Sequence, residues 1–280
     1  MGHVLRNTCI RVIFCAVILC ACNQIWAQTI DATLPDNPSP AVKAQQDSAG
    51  SPTEREVNWH TLPGDFLQDQ KAIWLFPTQL ARGRHWLPTL AVAGGTAGLI
   101  VADSHVMPYF RSHAGNLDDL NDSFDSLITT GEIVAVPVGF LITGYARHDQ
   151  YATSTALLSG MAYADTAVVD LAIKAITRRQ RPSDVPPGQP FTNTFFNGGK
   201  SPFKGSSFPS GHAAGAFSVA TVVATRYSKH RWVPWVMYGF ASAISFSRVT
   251  SSAHFPSDVF LGAALGYTIT RFQVLRPHEQ

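Results

Sequence analysis

Apolar residues fall into six long segments in the second two-thirds of the chain: Leu87–Ala102, Ile133–Ala146, Tyr151–Ile176, His212–Tyr227, Trp232–Phe246 and Val259–Phe272. Each is about helix length and rich in Ala, Gly, Leu and Val, and none alternates apolar and polar positions as a half-buried strand does. The pattern predicts an all-α fold, a six-helix bundle over residues 87–272, with Pro137 bending the second helix. Only Arg147–Gln150 separate the second and third segments, so those helices are expected to be antiparallel neighbours. Two long connections, 103–132 and 177–211, stand out, and ordered connections of that length often carry function.

Ahead of the bundle the pattern changes twice. Arg6 and Arg11 precede the apolar run Val12–Ala21, and Ile25-Trp26-Ala27 offers a small-residue cleavage point, the layout of an export signal over residues 1–27. An uncleaved anchor helix and acylation at Cys22, within Leu19-Cys20-Ala21-Cys22, are the alternatives. Residues 28–56, rich in Pro, Ser, Asp, Ala and Gln, read as a flexible linker. Residues 57–86 carry scattered aromatics, including Trp59, Phe66 and Trp74, and form a lead-in, while 273–280 is a tail.

Composition adds limits. Charged residues make up only 14% and hydrophobic residues 45%, against roughly 25% charged in soluble proteins. The choice is therefore between a very large buried core and a membrane-embedded bundle. A formal net charge of +2 gives no case for nucleic acid as a partner. All four cysteines lie at or before Cys22, so cleavage after Ala27 leaves the mature chain without disulfides, thiolate metal sites or a cysteine nucleophile. The placement of Lys and Arg favours spanning helices with Arg82, Arg84, Arg147, Arg226, Lys229, Arg231 and Arg271 on the cytoplasmic side. An export signal ahead of six spans implies the opposite orientation. Several segments are also shorter than the ~20 residues of a usual span. The sequence thus leaves integral membrane, soluble and lipid-anchored periplasmic placements open, and leans towards a membrane-associated envelope protein whose site faces the periplasm.

Three polar blocks sit at the helix ends. In the first, Lys174 and Arg181 lie two helical turns apart, and Pro182 restricts the backbone at Arg181. In the second, Ser210 is placed as a helix cap, Gly211 opens the backbone N–H groups to an anion, and His212 lies in the first turn. In the third, Arg248 ends an apolar helix, and Asp258 follows His254 by four residues with Pro256 opening the next helix. Asp258 is expected to accept the Nδ1 proton of His254, leaving Nε2 free to attack. Taken singly, each block also reads as ordinary helix capping. Together they supply cations for a phosphoryl group, a nucleophile and an acid, with no metal or cofactor required. Asp165 and Asp170 interrupt the third segment, and Asp170 is spaced to pair with Lys174.

The blocks Lys174-x6-Arg181-Pro182, Pro209-Ser210-Gly211-His212 and Ser247-Arg248-x5-His254-x3-Asp258 resemble the signature of the type 2 phosphatidic acid phosphatase family at every motif position. That family includes bacterial acid phosphatases and vanadium haloperoxidases. The resemblance covers about residues 87–272. It implies a six-helix bundle and a metal-independent, two-step hydrolysis of phosphate monoesters or pyrophosphates, on lipid phosphates or small soluble phosphomonoesters. By the resemblance His254 is the nucleophile, Asp258 orients it, and His212 protonates the leaving oxygen and then deprotonates water. Lys174, Arg181, Ser210, the Gly211 amide and Arg248 hold the phosphate oxygens. A vanadate-dependent haloperoxidase and a non-catalytic lipid-phosphate-binding envelope protein are the rival readings.

Overall fold

The computed structural model describes residues 55–198 and 205–277. The leader, most of the linker, the cysteines, Phe203 and the last three residues lie outside the described residues. Among those described, all regular structure is helical. Two lead-in helices, α1 (Leu62–Trp74) and α2 (Phe76–Ala81), precede α3 (Trp86–His113), a short α4 (Asp118–Ser123), α5 (Ser126–Arg147) and α6 (Gln150–Thr177). After a long connection come α7 (Gly211–Arg226), α8 (Trp232–Thr250) and α9 (Pro256–Ile269), which ends in a π-helical turn, Thr270–Val274.

The six expected segments correspond to α3 and α5–α9. Asp125 and Asp149 cap α5 and α6, each accepting a hydrogen bond from a backbone N–H of the first turn, at Leu127 and Ala152. Pro137 lies inside α5. The connection 103–132 is largely helical: α3 continues through Pro108 to His113, and α5 begins at Ser126.

The bundle is organised around α7. Its sequence is apolar on all sides, as a helix surrounded by others must be, and it packs on α5, α6, α8 and α9. The main core joins Val136 and Phe140 of α5 to Val219 and Val223 of α7 and to Met237, Phe240 and Ile244 of α8. Against α9 the approach is closer still. A Cβ on Gly262 would overlap the Ser210 carbonyl oxygen, and one on Gly266 the Ala214 carbonyl oxygen. This small-residue seam holds the first turns of α7 and α9 side by side.

The lead-in packs along α6, its helix α1 sharing a core with Leu157, Met161 and Val169. Arg55, assigned to the linker by composition, is 6% exposed. It pairs with Asp65 at 3.1 Å and Asp69 at 2.8 Å, and donates to the Val274 carbonyl. Gln70 of α1 donates to the Asp165 carboxylate at 2.8 Å, which partners one of the two acidic residues that interrupt α6.

Three stretches, Trp86–His113, Ser126–Arg147 and Gln150–Asp184, are long and apolar enough to cross a membrane. Leu87, Val101, Leu127 and Ile142 on the first two are more than 60% exposed in the isolated chain, which suits a lipid-facing surface better than water.

Candidate active site

The C-terminal end of α6, the N-termini of α7 and α9 and the C-terminal end of α8 meet at one end of the bundle. A cavity of about 310 Å³ opens there, lined by Lys174, Arg181, Gly211, His212 and His254, with Thr130, Ile133, Tyr163, Ala167, Asp170, Leu171, Ala214 and Gly215 completing the wall. Five of the eight residues singled out from sequence thus share one space. Ser210, Arg248 and Asp258 lie behind its wall.

His254 is 2% exposed. Its Nδ1 donates to the Ser207 carbonyl oxygen at 2.7 Å, whereas Asp258 Oδ2 is 3.6 Å away. The expected Nδ1–Asp258 hydrogen bond is therefore replaced by one to the backbone. Either acceptor puts the proton on Nδ1 and leaves the lone pair on Nε2. Asp258 is occupied elsewhere: Oδ2 accepts from the Phe255 N–H at 2.8 Å at the start of α9, and Oδ1 from Arg179 at 2.6 Å. Burial lowers the His254 ring below the ordinary histidine value, and the nearby Arg181 and Lys174 charges add to this against the pull of Asp258. Burial alone would raise Asp258, but the His254 ring and the Arg179 guanidinium outweigh it and hold the carboxyl below its usual range.

Arg179 was not singled out in the sequence. Arg178 ends α6 in the left-handed region at φ 41°, and the chain turns so that Arg179 is 1% exposed. Its guanidinium donates to Asp103 of α3 at 2.6 Å, to Asp258 and Ser257 of α9 at 2.6 and 2.7 Å, and to Thr194 at 3.1 Å. Phe255, Phe195 and Phe208 surround it, with ring centroids at 3.9, 4.5 and 5.9 Å. A buried guanidinium with two carboxylates and its donors matched is the arrangement that low dielectric demands. Its partner Asp103 falls in the stretch that the hydropathy pattern reads as a connection, and only the continuation of α3 to His113 brings it into the bundle.

His212 donates from Nε2 to the Ser126 carbonyl at 3.1 Å, with Thr130 Oγ1 at 3.3 Å. Nδ1 is left as the nitrogen that can take up a proton. Burial lowers this ring to about 4, with Arg248, His254 and Lys174 adding to the effect. The same Ser126 accepts at Oγ from Arg248, 3.1 Å away, so the first residue of α5 ties His212 to the buried Arg248. Ser210 caps α7, with its Oγ 3.5 Å from the Ala213 N–H. Its own N–H donates to the Asp258 carbonyl at 2.9 Å. Lys174 donates to Asp170 at 2.6 Å.

In sequence the aromatics of the connection between α6 and α7, Phe191, Phe195, Phe196 and Phe203, are equally compatible with a pocket wall and with packing. None of the described ones lines the cavity. Phe191 lies under Arg111 at 4.5 Å and edge-on to Phe255, Phe195 covers Arg179, and Phe196 is 69% exposed. Among the described residues no group of three or more His, Cys, Asp or Glu could hold a metal ion.

Residues 153–279 match the model of the PAP2 superfamily. A lipid A 1-phosphatase from Porphyromonas gingivalis is 40% identical over 65 residues, 23% of this chain, and the match spans only 15% of that relative's length. Among solved structures, a transmembrane PAP2-type phosphatidylglycerolphosphate phosphatase from Bacillus subtilis superposes with a TM-score of 0.40 at 22% identity, covering 72% of this chain and 92% of that one.

Proposed function

Residues 153–279 belong to the PAP2 superfamily, and on that premise we propose that the chain is a membrane-associated phosphatase that hydrolyses a lipid-borne phosphate monoester through a phosphohistidine at His254. The observation that carries this reading is the His254 ring. Nδ1–H is fixed on a backbone carbonyl, and the ring lines a cavity shared with Lys174, Arg181, Gly211 and His212.

Nε2 of neutral His254 attacks phosphorus. Lys174, Arg181 and the Gly211 amide at the positive end of α7 take the equatorial oxygens. Ser210 and Arg248 act from behind the wall, by capping α7 and by fixing Ser126 beside His212. The leaving oxygen takes a proton from His212, and the same ring then deprotonates the water that cleaves the phosphohistidine. In the empty site His212 is neutral above about pH 4. The acid form therefore arises as the substrate binds, because a phosphate anion beside the ring raises its proton affinity. Asp258, 3.6 Å from Nδ1, stabilises the positive charge that the phosphorylated ring carries.

A lipid substrate is favoured by the cavity's second half. Ile133, Tyr163, Ala167 and Leu171 line it from α5 and α6, both long and apolar enough to span a bilayer. The aligned relative is named for removing a phosphate from a lipid. The leader at residues 1–27 and the envelope placement, with the site facing the periplasm, belong to the same proposal. So does the division into linker, lead-in and bundle.

Phosphate release from phosphatidic acid vesicles and from p-nitrophenyl phosphate, each with excess EDTA, tests the reading. Release that persists with EDTA and favours the lipid is expected. Release abolished by the chelator contradicts the metal-free mechanism.

A further inference from the structure

The cavity that holds His254 also holds a carboxylate outside the three-block signature. Asp170 lies one turn before Lys174 on α6, is 4% exposed and lines the cavity. Its Oδ2 accepts from Lys174 Nζ at 2.6 Å, while its buried Oδ1 has no hydrogen-bond partner among the described residues. Both groups press on the first residue of α7. A Cβ on Gly211 would lie 3.0 Å from Lys174 Nζ and 3.1 Å from Asp170 Oδ2. A negative charge therefore sits beside the helix N-terminus and the lysine that a phosphoryl group would use.

We propose that Asp170 is a built-in rival of the phosphoryl group, holding Lys174 in the empty site and weakening the grip on inorganic phosphate so that product leaves. The inference rests on the reading of this cavity as a phosphate site. An ammonium group has three donors, so Lys174 bridges Asp170 and a phosphate oxygen without releasing either. Asp170 and the phosphate nevertheless repel each other. At an effective dielectric constant of about 20, two like charges several ångströms apart change a binding constant by roughly tenfold or more. With Lys174, Arg181 and Arg248 nearby, removal of this cavity-lining carboxylate leaves cationic charge in excess of a phosphate dianion. That excess favours a tight, slowly released product. A merely structural i,i+4 pair, by contrast, contributes to the helix and leaves anion affinity unchanged.

The test uses the full chain in detergent micelles, comparing wild type with Asp170→Asn, which keeps an acceptor for Lys174 and removes the charge. Inorganic phosphate is the probe. It is read both as an inhibitor of p-nitrophenyl phosphate hydrolysis and by its effect on the melting temperature. Asp170→Asn is expected to bind phosphate about tenfold more tightly or better, with a larger phosphate-dependent melting shift. Unchanged or weaker phosphate binding in this variant overturns the inference while leaving the phosphatase reading intact. A wild type that melts cooperatively yet neither releases phosphate nor responds to it overturns both. If Asp170→Asn does not melt cooperatively, Asp170→Ser takes its place, and tighter or unchanged phosphate binding is interpreted in the same way.

Discussion

His254 Nδ1 lies 2.7 Å from the Ser207 carbonyl oxygen and 3.6 Å from Asp258 Oδ2. The tautomer of the proposed nucleophile is thus fixed by backbone, and the carboxylate contributes charge. Backbone cannot be removed by mutation, so the ring should keep its orientation without Asp258. Asp258→Asn is expected to lower kcat by about 10²-fold, as loss of one electrostatic partner does, while His254→Ala abolishes turnover. Equal losses in the two variants, measured by steady-state phosphate release, would mean that Asp258 and not Ser207 sets the ring.

Arg179 holds two buried carboxylates, Asp103 and Asp258, from different helices. Its removal strands both. Arg179→Ala is therefore expected to cost about 3–5 kcal/mol, the usual penalty for breaking a buried pair from one side. Arg179→Lys, which keeps the charge but loses the planar fork, should fall between it and wild type. Apparent melting temperatures in detergent check the order. An Arg179→Ala variant as stable as wild type would show that the network contributes nothing.

The two histidines give the fold a pH dependence of known sign. Burial holds His212 at about 4 and lowers His254 too, whereas both titrate near 6.5 in the unfolded chain. Between those values the unfolded chain binds more protons, so stability is full above about pH 6.5 and is lost as pH falls towards 4. Thermal scans from pH 7 to pH 4.5 should show wild type losing more stability than His212→Asn as pH falls. Identical pH profiles in the two proteins would count against a buried, neutral His212 ring.

Gly262 and Gly266 let α9 approach the backbone of α7 at Ser210 and Ala214. Gly262→Ala pushes on the Ser210 carbonyl oxygen, which belongs to the cap beside Gly211. The expected cost is about 1–3 kcal/mol of stability, together with a loss of activity exceeding that of Gly239→Ala, where a Cβ meets nothing within 4 Å. Matching activities in the two variants would argue that the seam does not position the site.

The bundle was legible because its helices are continuous apolar runs, and four of the six end within five residues of their expected bounds. The exceptions, α3 and α5, have physical reasons. The apolar run stops at Ala102, but α3 continues because Asp103 finds Arg179 and Ser257 and so can be buried. In the same way α5 starts at Ser126, where Asp125 caps it through polar residues that a hydropathy pattern reads as loop. The cavity residues Lys174, Arg181, Gly211, His212 and His254 were legible as side-chain chemistry at fixed spacings. Ser207 and Ser126 were not, because each meets its histidine through a backbone carbonyl, and every residue has one. Arg179 was hidden between Arg178 and Arg181. Only the left-handed turn at Arg178 separates the buried guanidinium from its neighbours.

Under the proposed chemistry phosphorus becomes bonded to His254. Full-length protein mixed with a ³²P-labelled phosphate monoester, quenched in alkali and mapped by peptide sequencing, tests this directly. An alkali-stable, acid-labile label is expected on the peptide carrying His254, absent in His254→Ala and trapped more fully in His212→Ala with a substrate whose leaving group needs no proton. Label on another residue, or undiminished turnover by His254→Ala, would contradict it.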